Sequence, residues 1–295
     1  MYLGDQTKAL ALFLKGDVLA RKPVSGNTAD RLKMRAVKVI EHEKDSLTES
    51  FLRYFSIELA TTPEQKESVY KIRYRVYCEE FGYEPADRFP DKMEFDAYDD
   101  HSLHCLITHK SSGMPAGCVR MISAAENENS DIDILPFEKD CSESLDNEYI
   151  RGLNLDRKTV CEISRLAVDG AFRRRKSETQ TPFGGVDAMD CSHHEQRTFG
   201  LIAVAGFLAA TALTDLTGRT NVFAMMESFL PRLLKRSGIA FQKAGVDIEY
   251  HGLRAPYFIK TQSALNNMRP DLKDMYQVIY EKIKASFAEQ TKTSY

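Results

Sequence analysis

The ten residues MEFDAYDDHS, at positions 93–102, hold four carboxylates: Glu94, Asp96, Asp99 and Asp100. Acids crowded in this way suit three kinds of chemistry: oxygen ligands for a divalent cation, bases for proton transfer, or anchors for arginines. A calcium loop needs acids at alternating positions, a central glycine and a distal glutamate, and EFDAYDD lacks that spacing. A solvated acidic loop is the bland alternative, because charge runs usually face water. The arginine reading gains from charges set against the apolar pattern elsewhere. Arg120 interrupts GCVRMI, and Glu162 and Arg165 interrupt CEISRLAV. A buried charge without a partner is costly, so these residues must pair or face a polar cavity. Bidentate pairing of Asp96 and Asp99 with Arg73, Arg120 and Arg165 meets that demand, and Glu94 and Asp100 are assigned to the surface.

Strict alternation puts Glu162 and Ser164 on one face of their strand and Arg165 on the other. If all three serve one site, a β-bulge or a splay of the strand must intervene. A bulge would also free a backbone N–H to hold a reacting carbonyl oxygen. The cluster CSHHE (191–195) lacks further ligands at recognisable spacing, so no metal site is assigned.

The elements that must position these residues can be read from periodicity. YFSIELA (54–60) is strand-like, and Thr62, Pro63 and Gln65 form a helix start with a capping box. Val69, Ile72 and Val76 make the inward stripe of that helix, with Arg73, Tyr77 and Glu80 on the adjacent one, and Gly82 terminates it. Residues 102–109 and 116–123 read as a hairpin, and 159–168 as a third strand. A long polar stretch, 169–199, follows, of a length usually kept for function. Then come a helix at 200–217, a strand in TNVFAMME, a short helix ending at Gly238, one or two strands in FQKAGVDIEYHGLRAPYFIK, and an amphipathic helix at 270–289. Strands alternating with helices after an antiparallel start imply an α/β fold with one mixed sheet covered by helices. The chain divides into a helical extension (1–50), a main domain (51–262) and a C-terminal helix and tail (263–295).

The 295 residues are 43% hydrophobic and 28% charged, as in ordinary globular proteins, and the net charge of −3 argues against a dedicated nucleic-acid binder. Six cysteines without a C-x-x-C pair read as reduced, buried thiols. The apolar run GLIAVAGFLAATALTDLTG is broken by Asp215 before the ~20 residues of a membrane span, and no signal peptide is read at the N-terminus. A cytoplasmic location is expected.

The ordered motifs RYRVYCEEFGY, MEFDAYDD, GCVRM and CEISRLAV resemble the acyl-homoserine-lactone autoinducer synthases of the GNAT superfamily. The segments FAMMESFLPRLLKRSGI and EYHGLRAPYFI bring the chain closer to PEP-CTERM/exosortase-associated acyltransferases and N-acyl amino acid synthases. The resemblance spans roughly residues 53–260. It implies a GNAT-like splayed sheet, with an acyl-pantetheine arm lying between the strand at 159–168 and the one at 221–227. It places Arg73, Tyr77, Tyr83, Asp96, Asp99, Arg120, Glu162 and Arg165 on signature positions. Tyr83 stands where the autoinducer synthases usually carry tryptophan.

The implied reaction passes a fatty acyl group from acyl carrier protein to the amine of an amino acid or similar small metabolite. Aminolysis of a thioester needs a neutral amine, so a base must take the ammonium proton; Glu162 is the candidate, with Ser164 placed to hold water or substrate. Arg73, Tyr77, Tyr83, Asp96, Asp99, Arg120 and Arg165 are the substrate-binding candidates. No R-x-x-G-x-G/A run precedes the helix at 200 to cradle a coenzyme A pyrophosphate. Arg173, Arg174, Arg175 and Lys176 instead offer a basic run suited to docking an acidic carrier protein. No tightly bound cofactor is expected; acyl-phosphopantetheine, on carrier protein or as acyl-CoA, is the co-substrate. Leu234 occupies the place where many GNAT enzymes put a proton-donating tyrosine. Two alternatives stand beside this reading: an acyl-homoserine-lactone synthase using S-adenosylmethionine, and a GNAT-like module that holds an acyl ligand without turnover.

Overall fold

The computed structural model describes residues 46–124, 134–173 and 192–293. Most of the proposed N-terminal extension, Arg174, Arg175, Lys176 and Cys191 lie outside the described residues. The chain opens with helix α1 (Leu47–Tyr54), strand β1 (Phe55–Leu59) and helix α2 (Pro63–Arg73). Thr62 and Gln65 form the reciprocal capping box that their spacing predicts. From Tyr74 to Glu80 the helix widens to π geometry, a form that concentrates at functional sites. Gly82, at φ +61°, then lets the chain turn into the acidic loop.

Strands β2 (Ser102–His109), β3 (Pro115–Ser123) and β4 (Val160–Val168) follow, with short helices α3 (Pro136–Asp140) and α4 (Asn147–Gly152) before β4. Helices α5 (His193–Thr198) and α6 (Gly200–Leu216) lead to β5 (Asn221–Glu227) and α7 (Leu230–Lys235). The segment read as one or two strands contains three: β6 (Gln242–Lys243), β7 (Ile248–Glu249) and β8 (Leu253–Lys260). Helices α8 (Thr261–Asn267) and α9 (Pro270–Thr293) close the chain.

All eight strands form one sheet in the order β1-β2-β3-β4-β5-β8-β6, with β7 also against β8. Every pairing is antiparallel except β4 with β5. That parallel pairing is brief, joining Val160, Cys161 and Glu162 to Asn221, Val222 and Phe223. Beyond Glu162 the two strands part, and residues 163–166 of β4 are only half-buried between fully buried ends. The fold is thus α/β and GNAT-like, with a splayed mixed sheet.

Helix α6 has apolar residues on all sides because it is buried on all sides, against the sheet and α9. With α5 it is long and apolar enough to cross a membrane by length and composition, but most of it is interior. Gly117 allows this packing: a Cβ there would lie 2.8 Å from Ile202 of α6 and 3.0 Å from the Ala167 carbonyl. Helix α9 contributes Leu272, Met275, Ile279 and Ile283 to the same core as β1 and α6.

Candidate active site

Three arginines and three carboxylates meet behind the open part of β4. Arg73, at the end of α2, is fully buried. Its Nη1 and Nη2 donate to the two oxygens of Asp99 at 2.6 and 3.0 Å, and its Nε donates to Glu94. Arg120 donates from Nη1 to Asp96 at 2.7 Å and Asp99 at 2.9 Å, and from Nε to the Ser164 hydroxyl at 3.1 Å. Arg165 reaches Glu94 at 3.2 Å and Asp96 at 3.3 Å, and its guanidinium lies over the Tyr77 ring. The loop is also stitched to itself, since Asp99 accepts the Asp96 N–H at 2.7 Å.

Asp96 and Asp99 therefore clamp the arginines as their spacing predicts. The assignment of Glu94 to the surface is corrected: it is 1% exposed and bridges Arg73 and Arg165. Asp100 is exposed, as expected. Burial alone would drive these carboxylates toward the neutral form. Arg73 and Arg120 overcome that for Asp99 and hold it far below the usual carboxylate range. For Asp96, Arg120 outweighs burial in the same direction. His104 lies under this cluster with neither ring nitrogen hydrogen-bonded, and burial pushes it down to about 3, so it is neutral.

The sequence demanded a bulge or a splay, and β4 has both, the splay beyond Glu162 and a bulge at Arg165. Cys118 pairs with Ala167 and Arg120 with Ser164, so Val119 alone faces both Arg165 and Leu166. Arg165 takes the left-handed conformation, φ +53°, which a branched or bulky residue adopts only under local constraint. The extra residue turns Arg165 toward the side that alternation alone would deny it. Glu162, Ser164 and Arg165 line one cavity of about 180 Å³, together with Ile163 and Leu166 between and beside them.

Glu162 sits at the last parallel pair of β4 and β5, where the splay begins. It is 4% exposed, between Ile122 and Phe223 in the sheet register. Burial pushes its carboxyl up to about 7, against the opposing pull of the Phe137 N–H, which donates to Oε2 at 2.9 Å, and of Arg120 and Arg165. A carboxylate near pH 7 is matched to general-base work.

From this polar mouth the cavity runs between β4 and β5 into an apolar end. Phe207, Ala210 and Thr211 of α6 line it, with Val222, Ala224, Met225 and Met226 of β5. Phe223 points to the opposite side, stacked on Phe137 at 4.8 Å between ring centroids. Tyr77 and Tyr83 line the mouth; the Tyr77 hydroxyl donates to the Leu166 carbonyl at 3.3 Å. Leu234 is buried in the core and does not line the cavity.

Sequence reading missed several residues at this mouth. Tyr250 and His251 come from the β7–β8 turn and Arg254 from the start of β8, and Tyr250 and Arg254 line the cavity. His251 stacks on Tyr83 at 5.3 Å and its Nε2 lies 3.2 Å from Glu84, which its hydrogen bond pulls below the usual carboxylate range. Burial pushes the Tyr250 phenol up to about 12, so it remains a donor across the working range. The only signal was Arg254 inside LRAPYFI, a charge in a strand like Arg120 in its own.

The docking role proposed for Arg173 is corrected. Its side chain is 1% exposed, pairs with Glu80, donates from Nε to the Val168 carbonyl at 2.7 Å and lies over Phe81. It ties the end of β4 to the π-helical turn. Among the described residues no group of three or more His, Cys, Asp or Glu side chains is arranged to hold a metal ion. Five cysteines, Cys78, Cys105, Cys118, Cys141 and Cys161, are buried and free.

A sheet that splays after one short parallel pairing, a bulged central strand and an apolar cleft between the parting strands give a GNAT-like fold. Residues 72–181 match the family model described as an acetyltransferase (GNAT) domain. No curated protein matches the chain in sequence. Among solved structures, TofI, described in a ternary complex with an inhibitor and MTA, is 19% identical and superposes with a TM-score of 0.49, over 74% of this chain and 99% of that one. The acyl-homoserine lactone synthase LasI is 14% identical over 72% of this chain and 94% of its own, at 0.46. FeeM, an N-acyl amino acid synthase from uncultured soil microbes, is 12% identical with the same two coverages, also at 0.46.

Proposed function

We propose that this chain is an N-acyltransferase moving a fatty acyl group from a pantetheine thioester to the amine of an amino acid or similar small metabolite. One observation carries the reading: Glu162, whose carboxyl burial pushes up to about 7, stands where the sheet opens onto a cleft with a polar mouth and an apolar end. The acyl chain occupies the apolar end, against α6 and β5, where methionines adapt to chain shape. The thioester carbonyl lies beside the bulge of β4. Glu162 takes a proton from the ammonium, directly or through a water held by Ser164, and the neutral amine attacks the carbonyl carbon. The C–S bond then breaks, and the second proton shed by the attacking nitrogen as the amide forms passes to the departing pantetheine thiolate or to water.

Acyl carrier protein is the donor this reading favours, because the sequence ahead of α6 lacks the glycine-rich cradle for a coenzyme A pyrophosphate. The arginine–carboxylate cluster supports the site from behind. Arg73 has every guanidinium nitrogen engaged, so its part is to fix the loop that holds Arg120 and Arg165. Of the substrate-binding candidates, Tyr77, Tyr83 and Arg165 line the cavity, whereas Arg73, Asp96, Asp99 and Arg120 do not.

The test is mass spectrometry of lipid extracts from cells overproducing the protein. A ladder of N-acyl amino acids supports the proposal and names both substrates. Acyl-homoserine lactone would assign the acceptor to S-adenosylmethionine, and an extract with no acylated amine would overturn acyl transfer.

A further inference from the structure

The mouth of the cavity holds a cation that the protein itself leaves unanswered. Arg73, Arg120, Arg165 and Arg173 are each ion-paired with carboxylates. Arg254 is not: among the described residues its guanidinium makes no hydrogen bond or ion pair, and its Nε is buried without a partner. Its one packing partner of note is aromatic, the Tyr83 ring, 5.5 Å away. Glu227 lies directly opposite in the β5–β8 ladder and lines the same cavity, yet the two do not approach within salt-bridge range. A partly buried guanidinium that bypasses a cross-strand acid keeps its donors for something else. Glu162, the base of the proposed reaction, lines the same space.

We infer that Arg254 binds the carboxylate of the acceptor, so that the acyl group is delivered to an amine that also bears a carboxylate. The guanidinium offers paired N–H donors matched to a carboxylate, and the Tyr83 ring, 5.5 Å away, packs against it. Held there, the acceptor presents its amine toward Glu162. This deepens the acyl-transfer reading and rests on it for the reaction, while the binding itself can be measured without turnover.

The experiment has two arms. Saturation-transfer NMR is recorded on the full chain with the twenty common amino acids and S-adenosylmethionine, and in parallel with the matching decarboxylated amines. Wild type is expected to bind at least one carboxylate-bearing member and none of the amines at the same concentration. Arg254→Ala should weaken that binding by about tenfold or more, the cost of losing a charge-assisted hydrogen bond, with Arg254→Lys in between. In the second arm, acyl carrier protein and coenzyme A thioesters are supplied as donors, and discrimination between amino acid and decarboxylated amine should collapse in Arg254→Ala.

Three results overturn the inference: no carboxylate-bearing ligand bound by wild type, binding by Arg254→Ala at wild-type strength, or a raised KM for the donor alone. The last would assign Arg254 to a donor phosphate. Specific amino acid binding with no acyl transfer from either donor would sink the enzymatic reading and leave the carboxylate site standing.

Discussion

At the scale of single residues, Glu162 is held in tension between an apolar setting and a charged task. Phe137, Phe223 and Ile122 exclude water around it, and one backbone N–H is the only hydrogen bond to its carboxylate among the described residues. Its pKa rises from 4.5 to about 7, so between those values the folded protein keeps a proton that the unfolded chain has lost. Stability therefore falls as pH rises through this window, by about 3 kcal/mol in all, and the loss is complete above pH 7. Glu162→Gln removes the penalty while keeping an acceptor for the Phe137 N–H. Thermal melts should show the variant more stable than wild type at pH 8, with the gap closing toward pH 5; a constant gap would mean that Glu162 does not titrate in this range. Some of this was legible in advance. Glu162, Arg120 and Arg165 announced themselves as charges in apolar strands. Glu94 gave no such signal, because nothing in an acidic run tells which member turns inward, and only its distance from Arg73 and Arg165 decides.

At the scale of elements, the acidic loop is held by the end of α2 on one side and by β3 and β4 on the other. Arg73 is the joint between them. Replacing it with Ala leaves Asp99 and Glu94 buried without their main counter-charge, a loss of about 3–5 kcal/mol. The effect should persist in high salt, because the pairs are buried beyond the reach of screening ions. Urea unfolding at low and high ionic strength checks both statements. The capping box, the hairpin and the inward stripe of α2 were all readable from spacing, since each is a local pattern. The bulge was readable only as a demand: Glu162 and Arg165 lie on opposite faces by alternation, yet both carry charge that needs one site. The π-helical turn at Tyr74–Glu80 left no trace in the sequence, because its hydrogen bonds follow from what the turn packs against. Arg173 misled for the same reason, as a basic run looks solvated until its first member is found tied to Glu80.

At the scale of the whole molecule, the C-terminal helix is part of the core beneath the eight-stranded sheet. Leu272, Met275, Ile279 and Ile283 of α9 are all but fully buried against α6 and β1. Each contributes about 1.5–3 kcal/mol through burial, so together they amount to a large share of a domain's net stability. A chain ending at Met268 should fail to fold, which its solubility and loss of a cooperative melt would report. A soluble, cooperatively folding truncation would show that residues 263–295 are dispensable to the fold. The central claim is that the splay of β4 from β5 sets a buried glutamate beside a thioester and an amine. It is tested most directly by the single-turnover rate of acyl transfer, from acyl carrier protein to an amino acid acceptor, measured between pH 5 and 9. Wild type should rise about tenfold per pH unit and level off near pH 7, where Glu162 is ionised, while Glu162→Gln should be slower by about 100-fold or more and lack that step. A variant that keeps the wild-type rate and profile would contradict the account.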